Sequence, residues 1–286
     1  MTQEIIRVYG IFGYPVGHSL SPLLQNEAFK ALGINGVYLP FEVKPGALEG
    51  AAHALRCLGM AGVNITIPHK EAIIPFLDAV EGDAALTGTV NTVLHRDGKL
   101  IGYSTDGEGF LLSLRREAGI EPRGKNIVLL GAGGAARAVA FRLAQEGAGS
   151  LYLVNRSKER AEALREDLQA RLGFTAACCG FSDPELHEAA ANADLVINAT
   201  SLGMYPAAGE APPFPLERCP TGCLICDLVY RPRETLWLKK ARERGLPVLG
   251  GLGMLIYQGM LSCQIWTGRM PPEEPLRAAL ERVLDR

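Results

Sequence analysis

Three features of the sequence predict an α/β protein with two domains. Short β-rich runs alternate with helical runs up to Ala118, and a second alternation begins after Gly119–Gly124, a segment that contains Pro122. A strand-like run also leads directly into a glycine-rich turn at Gly131. Strands separated by helices need crossover connections, which build largely parallel sheets. We therefore expect an N-terminal α/β domain with a mostly parallel sheet, followed by a second parallel α/β domain.

In the first domain, β-branched and aromatic runs predict strands, and apolar residues at helical spacing predict helices. The predicted strands are Ile6–Phe12, Val37–Val43 and Gly62–Ile67, and the predicted helices are Leu20–Leu32, Leu48–Leu58 and Gly107–Ala118. Gly33 is expected to end the first helix, and a further helix is expected to begin beyond Pro68. Val90–His95 and Lys99–Tyr103 flank Arg96-Asp97-Gly98, which is typical of a hairpin turn and adds antiparallel character.

In the second domain, apolar runs of buried-strand length predict the core of a parallel sheet. These runs are Ile127–Leu130, Leu151–Val154, Leu195–Ala199 and Leu224–Val229, and the helical runs are Ala135–Glu146 and Lys158–Leu172. A last helix, Glu273–Leu284, follows Pro271-Pro272. We place the domains at residues 1–120 and 121–270, with residues 271–286 packing back on the first domain.

Composition excludes several classes of protein. Hydrophobic residues make up 48% of the chain and charged residues 21%, as in a globular protein with buried cores. A net charge of −2 shows no basic bias, so nucleic acid is not an expected partner. No apolar run is long enough to span a membrane, and Met1–Gly10 lacks the pattern of a secretory signal. Seven cysteines without framework spacing argue against a secreted disulfide scaffold, so we expect a cytoplasmic protein.

A glycine-rich segment after the first strand of the second domain fits a dinucleotide-binding motif. Ile127–Leu130 runs into Gly131-Ala132-Gly133-Gly134-Ala135-Ala136, which matches G-x-G-x-x-G/A between a strand and a helix. Gly131 allows the tight turn, Gly133 allows close approach of a pyrophosphate, and Ala136 lets helix and strand pack closely. A glycine-rich turn without a ligand is the alternative. The flanking elements favour a Rossmann dinucleotide-binding domain.

The end of the next strand indicates which dinucleotide binds. NAD-binding domains commonly place a carboxylate there, which holds the ribose 2′-hydroxyl. Here the strand ends in Val154-Asn155-Arg156-Ser157, with Arg160 one helical turn later. Arg156 can stack on a 2′-phosphate or bind it with two hydrogen bonds, so NADP is the expected cofactor. The alternative is that both arginines cover a solvated helix start.

Other classes of dehydrogenase lack their signature residues in this chain. None of the eight tyrosines precedes a lysine by four residues, as a short-chain dehydrogenase requires. A zinc enzyme needs cysteine and histidine ligands. Cys223 and Cys226 lie in an apolar run without a companion pair, and the five histidines include no close pair. We therefore expect no metal.

Polar residues near strand ends of the first domain are candidates for acid–base chemistry. Oxidation of a secondary alcohol needs a titratable group beside the hydroxyl oxygen. The candidates are Ser19, Ser21, Asn64, Thr66, Lys70, Asn91-Thr92 and Ser104-Thr105-Asp106. Ser19, Ser21 or Asp106 could serve only as helix caps, and Lys70 could be an ordinary surface lysine. As a set preceding a dinucleotide-binding domain, they favour an active site.

The motifs also occur in the order found in a known family. They are Gly13–Pro22, Asn64–Lys70, Gly88–Thr92, Gly102–Gly107, Gly131–Ala136, Asn155–Ser157, Asn198–Met204, Asp227–Pro232 and Gly250–Gln258. Over essentially its whole length, the sequence resembles the shikimate dehydrogenase family. The resemblance implies NADP-dependent, reversible reduction of 3-dehydroshikimate to shikimate in the aromatic amino-acid pathway.

The resemblance also implies roles for individual residues. Lys70 and Asp106 match the family's catalytic pair, with Lys70 moving the proton and Asp106 orienting it. The matched substrate contacts are Ser19, Ser21, Asn64, Thr66, Asn91, Tyr230 and Gln258. The matched cofactor contacts are Gly131, Ala132, Gly133, Gly134, Ala135, Asn155, Arg156, Ser157, Arg160, Thr200, Leu228 and Gly251. Leu228 replaces the methionine of many relatives and keeps an apolar contact, whereas Gly82 replaces an acidic residue whose contact is not carried over.

Four alternatives remain open at this point. The enzyme could use quinate or NAD substantially, as dual-specificity relatives do, although Asn155-Arg156-Ser157 counts against NAD. The chain could instead be a catalytically idle NADP-binding regulatory protein, which would have no need for a matched Lys70 and Asp106. The roles of Lys70 and Asp106 could be shared or reversed. The sequence is compatible with a monomer and with a homodimer.

Overall fold

The computed structural model describes residues 5–205 and 207–285, and the chain divides into two compact units. Unit 1 comprises Met1–Gly109 and Ile256–Arg286, and unit 2 comprises Phe110–Leu255. Met1–Glu4, the first part of the Met1–Gly10 segment that lacks a secretory-signal pattern, lies outside the described residues, as do Pro206 and Arg286. No helix in the described ranges is long and apolar enough to cross a membrane.

Strands and helices are numbered along the chain. The strands are β1 (Arg7–Gly13), β2 (Gly36–Glu42), β3 (Gly62–Ile65), β4 (Ala79–Val80), β5 (Thr92–Arg96), β6 (Lys99–Tyr103), β7 (Asn126–Leu130), β8 (Ser150–Val154), β9 (Ala177–Cys179), β10 (Leu195–Asn198), β11 (Leu224–Asp227) and β12 (Val248–Leu249). The helices are α1 (Ser21–Leu32), α2 (Leu48–Cys57), α3 (Asp83–Thr87), α4 (Asp106–Ala118), α5 (Gly134–Gln145), α6 (Lys158–Leu172), α7 (Glu185–Ala191), α8 (Leu236–Glu243), α9 (Leu252–Thr267) and α10 (Glu273–Leu284).

The sheet of unit 1 has the order β2-β1-β3-β5-β6-β4. β1 pairs in parallel with β2 and β3, and β4 pairs in parallel with β6, whereas β5 is antiparallel to β3 and β6. The β5–β6 hairpin turns at Asp97 and Gly98, whose φ angles of 53° and 75° are both positive, as a two-residue hairpin turn requires. The predicted parallel-rich sheet with a hairpin is therefore confirmed.

The reversal of β5 decides which residues meet at one edge of this sheet. Asn64 in β3 lies opposite Thr92, the first residue of β5, and Thr92 lies opposite Tyr103, the last residue of β6. β1 runs in register with β3 up to the Phe12–Ile65 pair. The carboxyl ends of β1, β3 and β6 and the start of β5 therefore share one edge, which we call the polar edge of unit 1.

Helix α1 forms as its sequence predicts. Pro22 occupies its first turn, where a missing N–H costs nothing, and Leu24, Ala28 and Phe29 are buried. Gly33 ends the helix with φ 64°, and its N–H donates to Lys30 O at 3.1 Å. Within unit 1, α10 packs against α1.

The helix expected beyond Pro68 does not form. Residues 67–73 make turns, and only a short 3₁₀ helix follows at Ile74–Phe76. Pro75 has no N–H to donate and its ring would clash within an α-helix. The Lys70 carbonyl accepts a 2.8 Å hydrogen bond from Val90 N. Lys70 is thereby fixed to the segment that leads into β5.

A tryptophan fixes the unit 1 part of α9 over the strands of the polar edge. Trp266 is 5% exposed, its ring contacts Tyr9 and Tyr38, and its Nε1 donates to Val93 O at 2.9 Å. A Cβ at Gly62 would lie 2.4 Å from Trp266 Nε1, so only glycine admits the ring there. Gln258 and Ser262, on the same helix, are held near β3 and β5 as a result.

The sheet of unit 2 has the order β12-β11-β10-β7-β8-β9, and its strand pairs are parallel. β8 and β9 lie successively farther out on the β7 side of the central β7–β10 pair, and β11 and β12 do so on the β10 side. Ligands of doubly wound α/β sheets bind at the carboxyl ends of the strands where the order reverses in this way. The predicted parallel core strands are confirmed, and the sheet adds β9 and β12, which are too short to produce a recognisable apolar run.

A buried polar cluster closes the carboxyl ends of β10 and β11. Asp227 is 1% exposed and accepts hydrogen bonds from Asn198 Nδ2 at 2.9 Å, Val229 N at 3.0 Å and Thr235 Oγ1 at 2.7 Å. Thr235 also caps α8 by accepting from Leu238 N. Burial raises the pKa of Asp227 to about 6, against the opposite effect of these three donors.

The Asp227 cluster makes the stability of the fold depend on pH. Between the unfolded value of 3.8 and the folded value of about 6, the folded protein holds a proton that the unfolded chain releases. The free energy of unfolding therefore falls as pH rises through this window, by about 2–3 kcal/mol from this residue. The Asp227→Asn variant has no titratable group at this position, so its free energy of unfolding should not show this decrease.

Urea unfolding of wild type and Asp227→Asn at about pH 4 and pH 7.5 measures the effect. We expect the free energy of unfolding of Asp227→Asn, minus that of wild type, to be about 2 kcal/mol larger at pH 7.5 than at pH 4. Glu166→Gln, which removes a carboxylate 73% exposed on α6, is the control. A relative stability of Asp227→Asn that is the same at both pH values would contradict the assignment.

Candidate active site

A buried ion pair lies at the polar edge of unit 1. Lys70 Nζ donates to Asp106 Oδ2, and the two side chains are 14% and 6% exposed. Lys70 comes from the turn after β3, and Asp106 begins α4 directly after β6. Two charges taken out of water need further hydrogen bonds, and removing one partner alone leaves a costly uncompensated charge. The arrangement favours a functional over a purely structural reading.

Asn91 supplies the further hydrogen bond to this pair. Its Nδ2 donates to Asp106 Oδ1 at 2.9 Å and to Thr105 Oγ1 at 2.8 Å, with Gln258 Oε1 at 3.3 Å. Its Oδ1 accepts from Thr105 N and from Thr92 Oγ1, both at 2.9 Å. Each oxygen of Asp106 thus faces a donor, one from Asn91 and one from Lys70.

Asn64 lies behind Asn91 and is also engaged within the protein. Its Oδ1 accepts from Tyr38 OH at 2.7 Å. Its Nδ2 lies 3.0 Å from Asn91 O, 3.1 Å from Thr92 Oγ1 and 3.0 Å from Ser262 Oγ. Asn64 is 5% exposed, and these hydrogen bonds order the residues around it. Its role as a substrate contact stays a prediction.

The other predicted substrate contacts are distributed over both units. Ser19 Oγ accepts from Ser21 N at 3.2 Å, but the N-cap of α1 is Leu20, which makes no side-chain cap hydrogen bond. Thr66 directly follows β3 and is half-buried, while Ser21 is 8% exposed. Gln258 lies on the unit 1 part of α9, next to Asn91. Tyr230 belongs to unit 2, just after β11.

The predicted cofactor contacts gather at the carboxyl ends of the unit 2 strands. Gly131–Ala135 follows β7, Asn155–Arg160 follows β8, and Thr200 follows β10. Leu228 and Gly251 follow β11 and β12, and a Cβ at Gly251 would lie 2.3 Å from Leu228 O. The carboxyl ends of parallel strands meet at one edge of a sheet, so residues far apart in sequence form one surface.

The glycine-rich turn has the geometry of an anion site. Gly131 has φ 111°, and its N–H donates to Val154 O at 2.7 Å. Gly133 is the N-cap of α5, which has no side-chain cap and no acidic residue in its first turn. A Cβ at Gly133 would meet no atom within 4 Å, so the space in front of the helix is open. Helix N–H groups facing open space fit a pyrophosphate.

The turn after β8 presents cations together with one carboxylate. Arg156 and Arg160 are exposed, and Asn155 Nδ2 stiffens the turn by donating to Ser157 O at 2.8 Å. Ser157 Oγ donates to Glu159 Oε2 at 2.7 Å, and this hydrogen bond lowers the pKa of Glu159. The strand end itself carries no carboxylate, and Glu159, two residues after Ser157 in the same turn, is hydrogen-bonded to it.

Cys223 and Cys226 are buried in unit 2. Burial raises the pKa of the Cys226 thiol well above its usual range, which keeps it protonated and a poor metal ligand. Within residues 5–205 and 207–285, no group of three or more His, Cys, Asp or Glu side chains could hold a metal ion.

A Rossmann-type unit with this glycine turn, accompanied by a unit with a buried Lys–Asp pair, defines a dinucleotide-dependent oxidoreductase. Comparison with known proteins gives the family. Residues 11–93 match the shikimate dehydrogenase substrate binding domain, residues 114–207 match shikimate / quinate 5-dehydrogenase, and residues 251–281 match the shikimate 5′-dehydrogenase C-terminal domain. The chain belongs to the shikimate dehydrogenase family.

Individual relatives agree with this membership. A shikimate dehydrogenase (NADP(+)) of Moorella thermoacetica is 52% identical over 275 residues, which cover 96% of this chain and 91% of the relative. A shikimate dehydrogenase crystallised with NADP⁺ matches with a TM-score of 0.92 at 40% identity, over 98% of this chain and 96% of the other. The Thermus thermophilus enzyme, in complex with NADP(H) and shikimate, matches with a TM-score of 0.86 at 38% identity, over 98% of this chain and 100% of the other.

Ser262 is a polar-edge residue that the sequence did not indicate. It is fully buried on α9, and its Oγ lies 2.7 Å from Thr92 Oγ1 and 3.0 Å from Asn64 Nδ2. A serine within an apolar helix carries no motif. The sequence indicates Thr92 and Thr105 only as polar residues near strand ends, because their contacts depend on the pairing of β3, β5 and β6.

Two glycines of the α5 turn should respond differently to alanine. Gly131→Ala places a Cβ at positive φ, 3.0 Å from Ala199 O, and should cost about 1–3 kcal/mol of stability. Gly133→Ala has an extended backbone, with ψ −178°, and open space, so stability should be kept. The added methyl would occupy the phosphate space, and we expect dinucleotide affinity to fall at least about tenfold.

Thermal unfolding without ligand and isothermal titration with the dinucleotide separate the two effects. Gly17→Ala, at an exposed position of unit 1 with no atom within 4 Å of the added Cβ, is the control for a tolerated methyl group. Unchanged dinucleotide affinity in Gly133→Ala would show that the phosphate does not approach this backbone.

Proposed function

We propose that this protein catalyses the NADP-dependent, reversible reduction of 3-dehydroshikimate to shikimate in aromatic amino-acid biosynthesis. The observation that carries the proposal is the buried Lys70–Asp106 pair, braced by Asn91, in a chain of the shikimate dehydrogenase family. The names of the relatives support the choice of NADP and of shikimate. A cytoplasmic location and a monomeric or homodimeric assembly stay predictions.

The ion pair supplies the proton that the chemistry needs. Reduction of a ketone to an alcohol adds a hydride to carbon and a proton to oxygen. Bound NADPH supplies the hydride. Lys70, protonated in its pair with Asp106, donates the proton to the carbonyl oxygen, and in the oxidation direction neutral Lys70 takes it back. Asp106 has donors on both oxygens, which suits it to orient Lys70 rather than to accept the proton itself.

The polar edge supplies groups of the kinds that the substrate would require. Serine hydroxyls at Ser19 and Ser21 suit a carboxylate, and amide or hydroxyl groups suit ring hydroxyls. For the latter role we propose Asn64, Thr66, Asn91 and Gln258 of unit 1, together with Tyr230 of unit 2. Asn91 and Gln258 are in contact with each other, and Asn91 also contacts Asp106, so a hydroxyl bound there would lie beside the proton donor.

The carboxyl ends of the unit 2 strands supply the NADP site in this proposal. The N–H groups of Gly131–Ala135 would hold the pyrophosphate, and Leu228 with Gly251 would provide an apolar wall for the nicotinamide. Arg156 and Arg160 would bind the 2′-phosphate, with Asn155 and Ser157 shaping the turn and Thr200 completing the edge. The exposure of both arginines means that their heads are free to reorient onto a phosphate.

Steady-state turnover of four substrate pairs tests the function: shikimate and quinate, each with NADP and with NAD. We expect shikimate with NADP to have the highest kcat/KM. Arg156→Gln should lower kcat/KM for NADP about 10–100-fold and leave that for NAD nearly unchanged, because the lost charge faces only the 2′-phosphate. Arg165→Gln, on α6 beyond the turn that carries Arg156, is the control.

The other outcomes identify the alternatives. Dominant turnover of quinate, or of NAD, would assign the chain to the quinate-using or dual-specificity branch, and residues 114–207 do match a family of shikimate / quinate 5-dehydrogenases. Absence of turnover with all four pairs, together with tight NADP binding, would make it an idle NADP-binding protein.

Lys70→Met should abolish most of the proton transfer while keeping the length of the side chain. We expect kcat to fall about 10²–10⁴-fold with NADP affinity unchanged, because a positioned acid–base group contributes on this scale. Asp106→Asn keeps the shape of the side chain but leaves Lys70 without its counter-charge, so a smaller fall is expected. Lys99→Met, at the exposed start of β6, is the control. A Lys70→Met enzyme within threefold of wild type would remove Lys70 from the mechanism.

A further inference from the structure

A series of buried hydrogen bonds leads from α9 to Asp106 Oδ1, whereas Lys70 donates to the other carboxylate oxygen, Oδ2. Ser262 and Thr92 are both 0% exposed, and their oxygens are 2.7 Å apart. Thr92 Oγ1 is in turn 2.9 Å from Asn91 Oδ1, and Asn91 Nδ2 is 2.9 Å from Asp106 Oδ1. The series Ser262–Thr92–Asn91–Asp106 therefore connects α9 to the carboxylate through successive hydrogen bonds.

Donor and acceptor counting gives this series a direction. The Thr105 N–H donates at 2.9 Å to one side-chain atom of Asn91, so that atom must be the oxygen. Asn64 Nδ2, which can only donate, points at Thr92 Oγ1 at 3.1 Å. The Thr92 hydrogen is then used for Asn91 Oδ1. Ser262 Oγ also lies 3.0 Å from Gln258 O, but its 2.7 Å contact with Thr92 Oγ1 needs the Ser262 hydrogen once the Thr92 hydrogen is used. Aligned donors polarise one another in a buried chain.

We infer that Thr92 is a positioning residue for the proposed reaction, and that Ser262 acts through it. Two donors on Asn91 Oδ1, from Thr105 and Thr92, hold the plane of the amide so that Nδ2 faces Asp106 Oδ1. This leaves Asp106 Oδ2 for Lys70 and fixes the direction of the ammonium group. The inference rests on the proposed function for its effect on turnover, but the orientation of Asn91 is a property of the unliganded protein.

Removal of the Thr92 hydroxyl tests the inference. Thr92→Val keeps the shape of the side chain but leaves Asn91 Oδ1 with Thr105 N as its donor. We expect kcat to fall about tenfold with KM for NADP unchanged, because a loosened amide lets Asp106 and Lys70 leave their reactive geometry. Thr92→Ser restores the hydroxyl and should return kcat to within about twofold of wild type.

Ser262→Ala and the double variant test the order of the series. Ser262→Ala should lower kcat only about threefold, since Thr92 can still donate to Asn91. The double variant Thr92→Val, Ser262→Ala should be no slower than Thr92→Val alone, because Ser262 acts through Thr92. Multiplying effects in the double variant would overturn the coupling.

Thr87→Val is the matched control for burying a methyl group in place of a hydroxyl group. Thr87 is 2% exposed in the same unit, and its hydroxyl contacts Asp83 O at 2.7 Å and Thr89 Oγ1 at 3.0 Å. The Thr87→Val variant should lose stability to a similar extent as Thr92→Val, but its kcat should stay at the wild-type value. If kcat falls equally in both variants, general loosening of unit 1 explains the effect and the positioning role is wrong.

Hydrogen exchange of the Asn91 side-chain amide, followed by NMR without ligand, provides a readout that does not require turnover. We expect exchange to be at least about tenfold faster in Thr92→Val than in wild type, Thr92→Ser or Thr87→Val. Unchanged exchange with unchanged kcat overturns the inference while wild-type turnover upholds the proposed function. Absence of wild-type turnover overturns the proposed function, and the exchange rates then decide the inference alone.

Discussion

The side-chain amide of Asn91 is the contact on which the polar edge of unit 1 depends. It joins the start of β5 to Asp106 at the start of α4, and it reaches Gln258 on α9. An amide has both donors and an acceptor, so it can face a carboxylate on one side and backbone and hydroxyl donors on the other. A carboxylate at this position would repel Asp106, and an apolar side chain would leave Asp106 Oδ1 without a donor. The buried charge of Asp106 is tolerable because Asn91 and Lys70 each satisfy one oxygen.

The two units use strand ends in different ways. In unit 1, the antiparallel β5 brings the beginning of a strand to the edge where its neighbours end, so side chains collect there and a polar cluster forms. In unit 2, parallel strands leave their carboxyl ends side by side, and α5 begins at that edge without a side-chain cap on its N–H groups. The proposed proton transfer therefore relies on side chains of the first unit, and the proposed anion recognition relies on the backbone of the second. This division suits an enzyme that holds a dinucleotide on one unit and moves a proton on the other.

Burial of Asp227 in unit 2 disfavours its charged form, while its hydrogen bonds fix the geometry of the neighbouring segments. Asp227 retains a raised pKa despite three donors, which shows that desolvation outweighs its hydrogen bonds. Its cluster nevertheless fixes Asn198, whose Oδ1 accepts from Thr200 N at 3.0 Å and Thr200 Oγ1 at 2.7 Å. The segment that carries Leu228 leaves from the same cluster. Polar networks of this kind specify one arrangement of a loop because each member needs its partners in place.

The sequence by itself determined the elements whose signals are local. Gly33 ends α1, Asp97-Gly98 turns the hairpin, and the glycine-rich turn after β7 starts α5, since each depends on backbone conformation at neighbouring residues. The family motifs likewise indicated Lys70 and Asp106 as a pair. The prediction of an α-helix beyond Pro68 was wrong because Pro75 interrupts it and Val90 N donates to the Lys70 carbonyl.

Only the tertiary structure decided the partners of the buried polar groups. Ser262 lies 170 residues from Thr92 in the chain, and their contact exists because Trp266 fixes α9 over Gly62 and Val93. Hydrogen bonds depend on distances of a few tenths of an ångström between atoms from different elements. Such distances follow from the packing of side chains around the sheet, which no local pattern in the sequence encodes.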